Sequence, residues 1–131
     1  MAALNVELVS VDRLLWSGEA SMVKARTVDG DIGILPGHWS HLSVLVEGGV
    51  VDIRQGDQAT LAAVHAGFLL VHDDDVRILA EVAELGQDVD VERARARLQE
   101  ARGAADDDED AARTVRRAEA RLTAAGHGDH A

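Results

Sequence analysis

The chain has 131 residues, room for one domain or one domain with an appendage, and at 47% hydrophobic it can build a packed core. Its 24 acidic against 13 basic side chains leave a formal charge of −11, which argues against nucleic-acid binding and against adsorption to anionic lipid, since both need a basic surface. Cysteine is absent, which excludes disulfides, thiolate metal sites and cysteine nucleophiles, and with one Phe, two Trp and no Tyr the core has to be Val, Leu, Ile and Ala.

The opening "LNVELVSV" alternates Leu4, Val6 and Leu8 with Asn5 and Glu7, the period of a half-buried strand. It lacks the basic start and long apolar run of a signal peptide, and no apolar stretch approaches the ~20 residues of a membrane span. A soluble chain is expected, with any membrane connection made through partners. Turn signals then recur: Asp29-Gly30, Pro36-Gly37, Gly48-Gly49, Gly56-Asp57, Ala66-Gly67 and Asp73 to Asp75. Short β-branched or apolar runs lie between them ("SMVKARTV", "IGIL", "VVDIRQ", "ATLAAVHA", "FLLV", "VRILAE"), the pattern of a sandwich or barrel over residues 1–86. No glycine-rich dinucleotide or ATPase-loop motif appears.

From residue 87 the composition shifts to Ala, Arg, Glu and Asp. Val91, Ala94, Leu98, Ala101 and Ala105 step by three and four, and Ala111, Val115, Ala118, Leu122 and Ala125 repeat the rhythm. Two helices are expected, about 90–103 and 109–125, forming an antiparallel hairpin with a frayed tail. Asp88 or Asp90 can cap the first helix, Gly103 and the acidic run end it, and Gly126 can end the second. Burying Val91, Leu98, Val115 and Leu122 contributes ~6–10 kcal/mol, against roughly thirty residues ordered at over 1 kcal/mol each. So thin a seam should depend on docking, either to the sandwich or to another protein.

The run from Asp106 to Asp110 reads as a cation site or, since it lacks the glycine and spacing of a calcium loop, as a solvated connection favouring the next helix N-terminus. His127, Asp129 and His130 read as metal ligands or as a fraying end, and His72 with Asp73 to Asp75 as a hairpin turn. His38 and His41 flank Trp39 after the Pro36-Gly37 turn. They have too few neighbours for zinc, and Ser40 and Ser43 resemble no nucleophile elbow. That segment is a structural corner or a protein-contact loop. Eight of the twelve arginines follow residue 92; Arg93 and Arg97 repel each other at i,i+4, which leaves solubility or contact with an anionic partner or nucleotide.

The stretches "LNVELVSVDRLLWSGEA", "GDIGILPGHWSHLSVLVEGGVVDIR", "HAGFLLVHDDDVRILAEVAE" and "DVDVERARA" together resemble, in order and spacing, the epsilon subunit of the bacterial F-type ATP synthase. The resemblance covers about residues 4–97 and is most specific in "GDIGILPGH"; the helical tail matches only in character. It implies a β-sandwich of about ten strands over 1–86 and a two-helix hairpin over 87–131. It implies a non-catalytic rotor subunit of the central stalk, linking the gamma subunit to the ring of c subunits in ATP synthesis coupled to proton transport. It implies a hairpin that reaches the alpha/beta catalytic head and inhibits ATP hydrolysis, and a peripheral position on the cytoplasmic face of the cell membrane. By the same resemblance Asp31, Gly33, Pro36, Gly37, His38, Trp39 and His41 belong to the surface meeting gamma and the c ring. In some members the hairpin folds back and binds ATP. Val89, Asp90, Arg93 and Ala94 match that motif, with Val in place of Ile, and Glu84 stands where a further contact is expected. ATP with magnesium is thus an optional regulatory ligand, and no cofactor is required. Arg113, Arg116, Arg117 and Arg121 are the expected inhibitory contacts, though they do not align with the later arginines of the nucleotide site. Where the family commonly has Gly-Gly before Phe68, this chain has Ala66-Gly67, expected to be harmless. The rival reading is a free-standing sandwich that binds a small molecule or glycan and self-associates through its hairpin. The scarcity of aromatic platforms weakens it.

Overall fold

The computed structural model describes residues 3–104 and 107–126. The tail expected to fray, with His127, Asp129 and His130 as its alternative metal-ligand reading, and Ala105 and Asp106 lie outside the described residues. Eight strands come first: β1 (Leu4–Ser10), β2 (Leu14–Ala20), β3 (Met22–Thr27), β4 (Gly30–Ile34), β5 (His41–Leu45), β6 (Gly49–Gln55), β7 (Gln58–His72) and β8 (Asp75–Leu85). A short 3-10 turn (Gly86–Asp88) leads to α1 (Val91–Arg102) and α2 (Glu109–Ala124).

Eight described strands stand where about ten short ones were expected, because two of them serve twice. The N-terminal part of β7 pairs with β6 and its C-terminal part with β5, while β8 runs antiparallel along both. One layer is therefore β2-β1-β8-β7-β5 and the other β8-β7-β6-β3-β4, five segments each. The expected turn at Ala66-Gly67 is a kink inside β7. Ala66 and Gly67 take φ of +64° and +137°, and the core-facing parity changes across them, from Ala62 and Val64 to Leu69 and Val71. In β8 the parity changes likewise, from Val76, Ile78 and Ala80 to Leu85. Since side chains alternate along a strand, each parity change lets one strand turn the correct face inward in both layers. Gly67 is obligatory there: a Cβ would stand 2.1 Å from the Leu79 carbonyl oxygen.

The sandwich core is aliphatic throughout, with Leu4, Leu8, Ile34, Ile53, Leu69 and Ile78 among its fully buried side chains. The hairpin has its own seam, Ala94 and Leu98 of α1 against Ala118 and Leu122 of α2, with Val89, Val91 and Val115 at its margin. Asp90 caps α1, accepting from the Arg93 amide at 3.1 Å, and Asp108 caps α2. The helix α2 also lies on the sandwich, where Ala120 and Ala124 cover Ala63, Val50 and Leu61. Its second buried face is made of alanines, whose small side chains left only the Val115–Leu122 stripe to stand out in the sequence.

Candidate functional site

Pro36 and Gly37 occupy the two middle positions of a turn closed by the His38 amide donating to the Leu35 carbonyl at 3.1 Å. Gly37 has φ +87°, the left-handed third position of a type II turn, and proline suits the second. This loop is tied to the β7–β8 turn: the Gly37 amide donates to Asp74 Oδ1 at 2.7 Å, and Ser40 Oγ lies 3.1 Å from His72 Nδ1. Trp39 is 74% exposed, with Leu35 and Leu42 also exposed beside it. The His38 ring lies 4.6 Å from that of Trp39, and its Nδ1 donates to the Trp39 carbonyl at 2.7 Å. His41 meets His38 edge-on and hydrogen-bonds Ser43. Among the described residues no three His, Asp or Glu side chains are grouped to hold a metal ion.

Asp31 and Gly33 are not part of that loop. They lie on β4, whose rise of ~3.3 Å per residue puts Asp31 roughly 15 Å from the Pro36 turn. Asp31 accepts from Arg26 Nε at 2.8 Å and Nη2 at 3.3 Å, and this hydrogen bond and charge hold its carboxyl below the usual range. Both residues line a cleft of about 980 Å³ between β3–β4 and the hairpin, bounded across the way by Leu98, Arg116 and Glu119.

The outer face of the first layer carries a row that sequence reasoning missed. The strand registers align Val44, Phe68, Leu79, Val9 and Leu14 across five strands. Val44, Phe68, Leu79 and Leu14 are exposed, and Leu42 and Val28 add to the apolar area. An exposed apolar patch that runs across five adjacent strands differs from scattered surface hydrophobes, and patches of this kind mark candidate interaction surfaces. Neither described helix covers it: α2 packs on β6 and β7 of the other layer.

Among the residues expected to hold nucleotide, Val89 and Ala94 pack in the hairpin seam and Asp90 serves as the α1 cap. Arg93 is exposed. Glu84 meets one of the expected inhibitory arginines, accepting from Arg121 Nε at 3.0 Å. Arg117 makes the matching pair with Glu47 from the β5–β6 turn. Burial pushes the Glu47 carboxyl up, but the hydrogen bond and charge of Arg117 outweigh it and leave the group below its usual range. Arg113 pairs with Asp110 at 3.9 Å, and Arg116 makes no ion pair among the described residues. Arg116 instead brings its backbone onto Gly48, where a Cβ would stand 2.7 Å away. Gly86 is met as closely, with the Ala124 carbonyl oxygen 2.0 Å from a Cβ built there. So α2 is held by two ion pairs, two glycines and a patch of small side chains. Gly48 had read only as a turn residue, and Glu47 and Gly86 carried no reading of their own.

A family model described as the ATP synthase delta/epsilon chain, beta-sandwich domain, matches residues 3–86. The ATP synthase epsilon chain of Streptomyces griseus is 51% identical over 124 residues, covering 94% of this chain and 95% of the relative. That of Rhodococcus opacus is 54% identical over 101 residues, 76% of this chain and 83% of the relative. The fold is similar to that of a chain in the Euglena gracilis mitochondrial ATP synthase OSCP/F1/c-ring structure, with a TM-score of 0.72 at 24% identity, covering 97% of this chain and 79% of that one.

Proposed function

The chain belongs to the ATP synthase delta/epsilon family and is a non-catalytic epsilon subunit, and from that premise we propose that it joins gamma to the c ring and brakes ATP hydrolysis with its hairpin. The observation that carries the brake is the way α2 is held. The apolar part of its contact with the sandwich is small, Ala120 and Ala124 on Ala63 flanked by Val50 and Leu61. At ~0.8 kcal/mol per buried methylene, and ~1 kcal/mol or less for each partly exposed ion pair, such a contact is worth only a few kcal/mol. A binding site on another subunit can compete for a helix held that weakly. On release, Arg117 and Arg121 become available to carboxylates of the alpha/beta head, with Arg113 and Arg116 beside them.

The apolar row through Phe68 and Leu79 is the surface for gamma, since an uncovered aliphatic face on a rigid sheet fits a permanent partner. The Pro36–His41 loop, with Trp39 foremost, is the end presented to the c ring. Among the described residues no helix is long and apolar enough to cross a membrane, so attachment to the cytoplasmic face of the cell membrane would run through these contacts.

The test is truncation after Gln87. The assembled enzyme should hydrolyse ATP faster while synthesis stays mostly intact, because the sandwich still joins gamma to the ring. Unchanged hydrolysis would remove the brake and leave the hairpin a strut. Regulatory ATP with magnesium is a second reading, favoured by Glu84, which holds Arg121 and stands two residues before the turn that leads to Asp90 and, on α1, Arg93. Calorimetry on the full chain tests it, with Arg93→Ala expected to abolish binding. No heat at millimolar nucleotide would end it.

A further inference from the structure

His65 has no structural reason to be where it is. It lies on β7 with 0% exposure, and neither ring nitrogen has a hydrogen-bond partner among the described residues. A neutral imidazole always carries one N–H, and leaving it unpaired inside a protein costs ~1–3 kcal/mol, which a leucine would avoid. The strand alternation explains what covers it. Ala63 packs under Ala120 and Ala124, and His65, two residues on, points out of the same face of the sheet. Beside it on β8 is Val82, and the turn before β6 supplies Glu47. From α2 come Arg117 and Arg121, whose partners Glu47 and Glu84 flank the same contact; Arg116 lies over neighbouring Gly48, and Arg113 acts on Glu47. The ring is buried beneath the helix α2, between its two ion pairs.

We propose that His65 couples docking of the hairpin to protons: acid charges the imidazole, and a charged His65 releases α2 from the sandwich. This rests on the reading that the hairpin can leave the sandwich. Burial, reinforced by the positive charges of Arg121 and Arg117 and opposed by Glu47, lowers the His65 pKa to about 4 with the helix in place. With α2 gone the ring meets water, and its pKa returns toward the ordinary ~6.5. The group is depressed in the docked state, so its contribution to docking is undiminished above pH ~6.5, weakens as pH falls below that value, and levels off below about 4. The ratio of released to docked hairpin rises ~4-fold at pH 6 and ~30-fold at pH 5 relative to pH 8. Acid thus moves α2 toward the state in which it can brake hydrolysis.

Hydrogen exchange on the full-length isolated chain tests this, with His65→Gln compared at each pH so that intrinsic exchange rates cancel. The wild-type α2 amides should lose ~30-fold protection between pH 8 and pH 5. The amides of β1 and β3 should keep theirs, and His65→Gln should show no such loss in α2. Equal loss in both proteins, or loss in α2 matched by loss in β1 and β3, overturns the proposal. If His65→Gln does not fold, the imidazole protons of the wild-type chain decide by nuclear magnetic resonance. A ring that titrates near pH 6.5 while α2 keeps its protection overturns the coupling; one that charges only as α2 protection falls supports it. Exchange reads docking without the rest of the enzyme. Loss of α2 protection with acid therefore supports proton coupling even if truncation after Gln87 leaves hydrolysis unchanged and the brake fails.

Discussion

Replacing Gly86 with alanine should loosen the hairpin while leaving the sandwich intact. Gly86 follows the last strand and faces the end of α2. The new Cβ would stand 2.0 Å from the Ala124 carbonyl oxygen, 2.7 Å from its carbonyl carbon and 3.2 Å from the Leu61 carbonyl oxygen. These are backbone atoms and cannot swing aside. The C-terminal turn of α2 has to lift by about 1.4 Å to reach ordinary contact, and a gap of half to one ångström already forfeits a quarter to a half of the dispersion attraction. The lift also stretches the 3.0 Å Arg121–Glu84 hydrogen bond one turn earlier. Overpacking of this kind costs ~1–3 kcal/mol, or roughly 5- to 150-fold in the docking equilibrium. Hydrogen exchange of the α2 amides on the full chain reads that change directly, and in the assembled enzyme ATP hydrolysis should fall as the released hairpin reaches the head. Unaltered α2 exchange would refute the close approach. A fall in β1 and β3 protection equal to that in α2 would show that Gly86 supports the sandwich instead.

Ala66→Gly should raise stability by ~0.5–1 kcal/mol, because the alanine sits at φ +64° and glycine relieves that strain at some loss to the unfolded chain's entropy. Thermal unfolding a few degrees higher is the expected reading, and an unchanged or lower midpoint would mean that the methyl group packs usefully. Phe68→Asp, on a side chain 49% exposed in the middle of the outer row, should leave the melting temperature almost unmoved while weakening capture of gamma at least ~10-fold. Normal capture would move the gamma contact off this face.

The two-part organisation was legible because its signals are strong. Period-two alternation and recurrent Gly and Asp turns mark the strands, and a three-four stripe of Val, Leu and Ala marks the helices. Asp90 was one of the two caps offered for α1, beside Asp88, while Asp108 had read only as part of the acidic connection before α2. The strand count was harder to read, because Ala66-Gly67 has the composition of a turn. Only the pairing of β8 along both halves of β7 shows that it is a kink within one strand. The apolar row was hidden for a related reason. Val44 and Phe68 stand on strands with aliphatic residues on both faces, and Val9 and Leu79 are single apolar residues beside the outward Glu7 and Arg77, so alternation along each strand does not assemble the row. His65 was invisible as a site because nothing near it in sequence distinguishes a buried histidine from its apolar neighbours. Its neighbours that matter, Arg117 and Arg121, are more than fifty residues away.

The four tail arginines were expected to act together, and the ion pairs separate them. Arg117 and Arg121 already face Glu47 and Glu84, and among the described residues Arg113 forms an ion pair only with its neighbour Asp110. A guanidinium cannot make a close bidentate contact with two carboxylates on different subunits at once, so if Arg117 and Arg121 carry the proposed brake, docking and braking are mutually exclusive for them. Exchanging one carboxylate for another costs little net free energy, whereas leaving a half-buried charge unpaired costs more. Under the proposed brake, sandwich and head would compete for the same two side chains, and the outcome would turn on small terms: an alanine patch, two glycines, and the charge on the histidine beneath them.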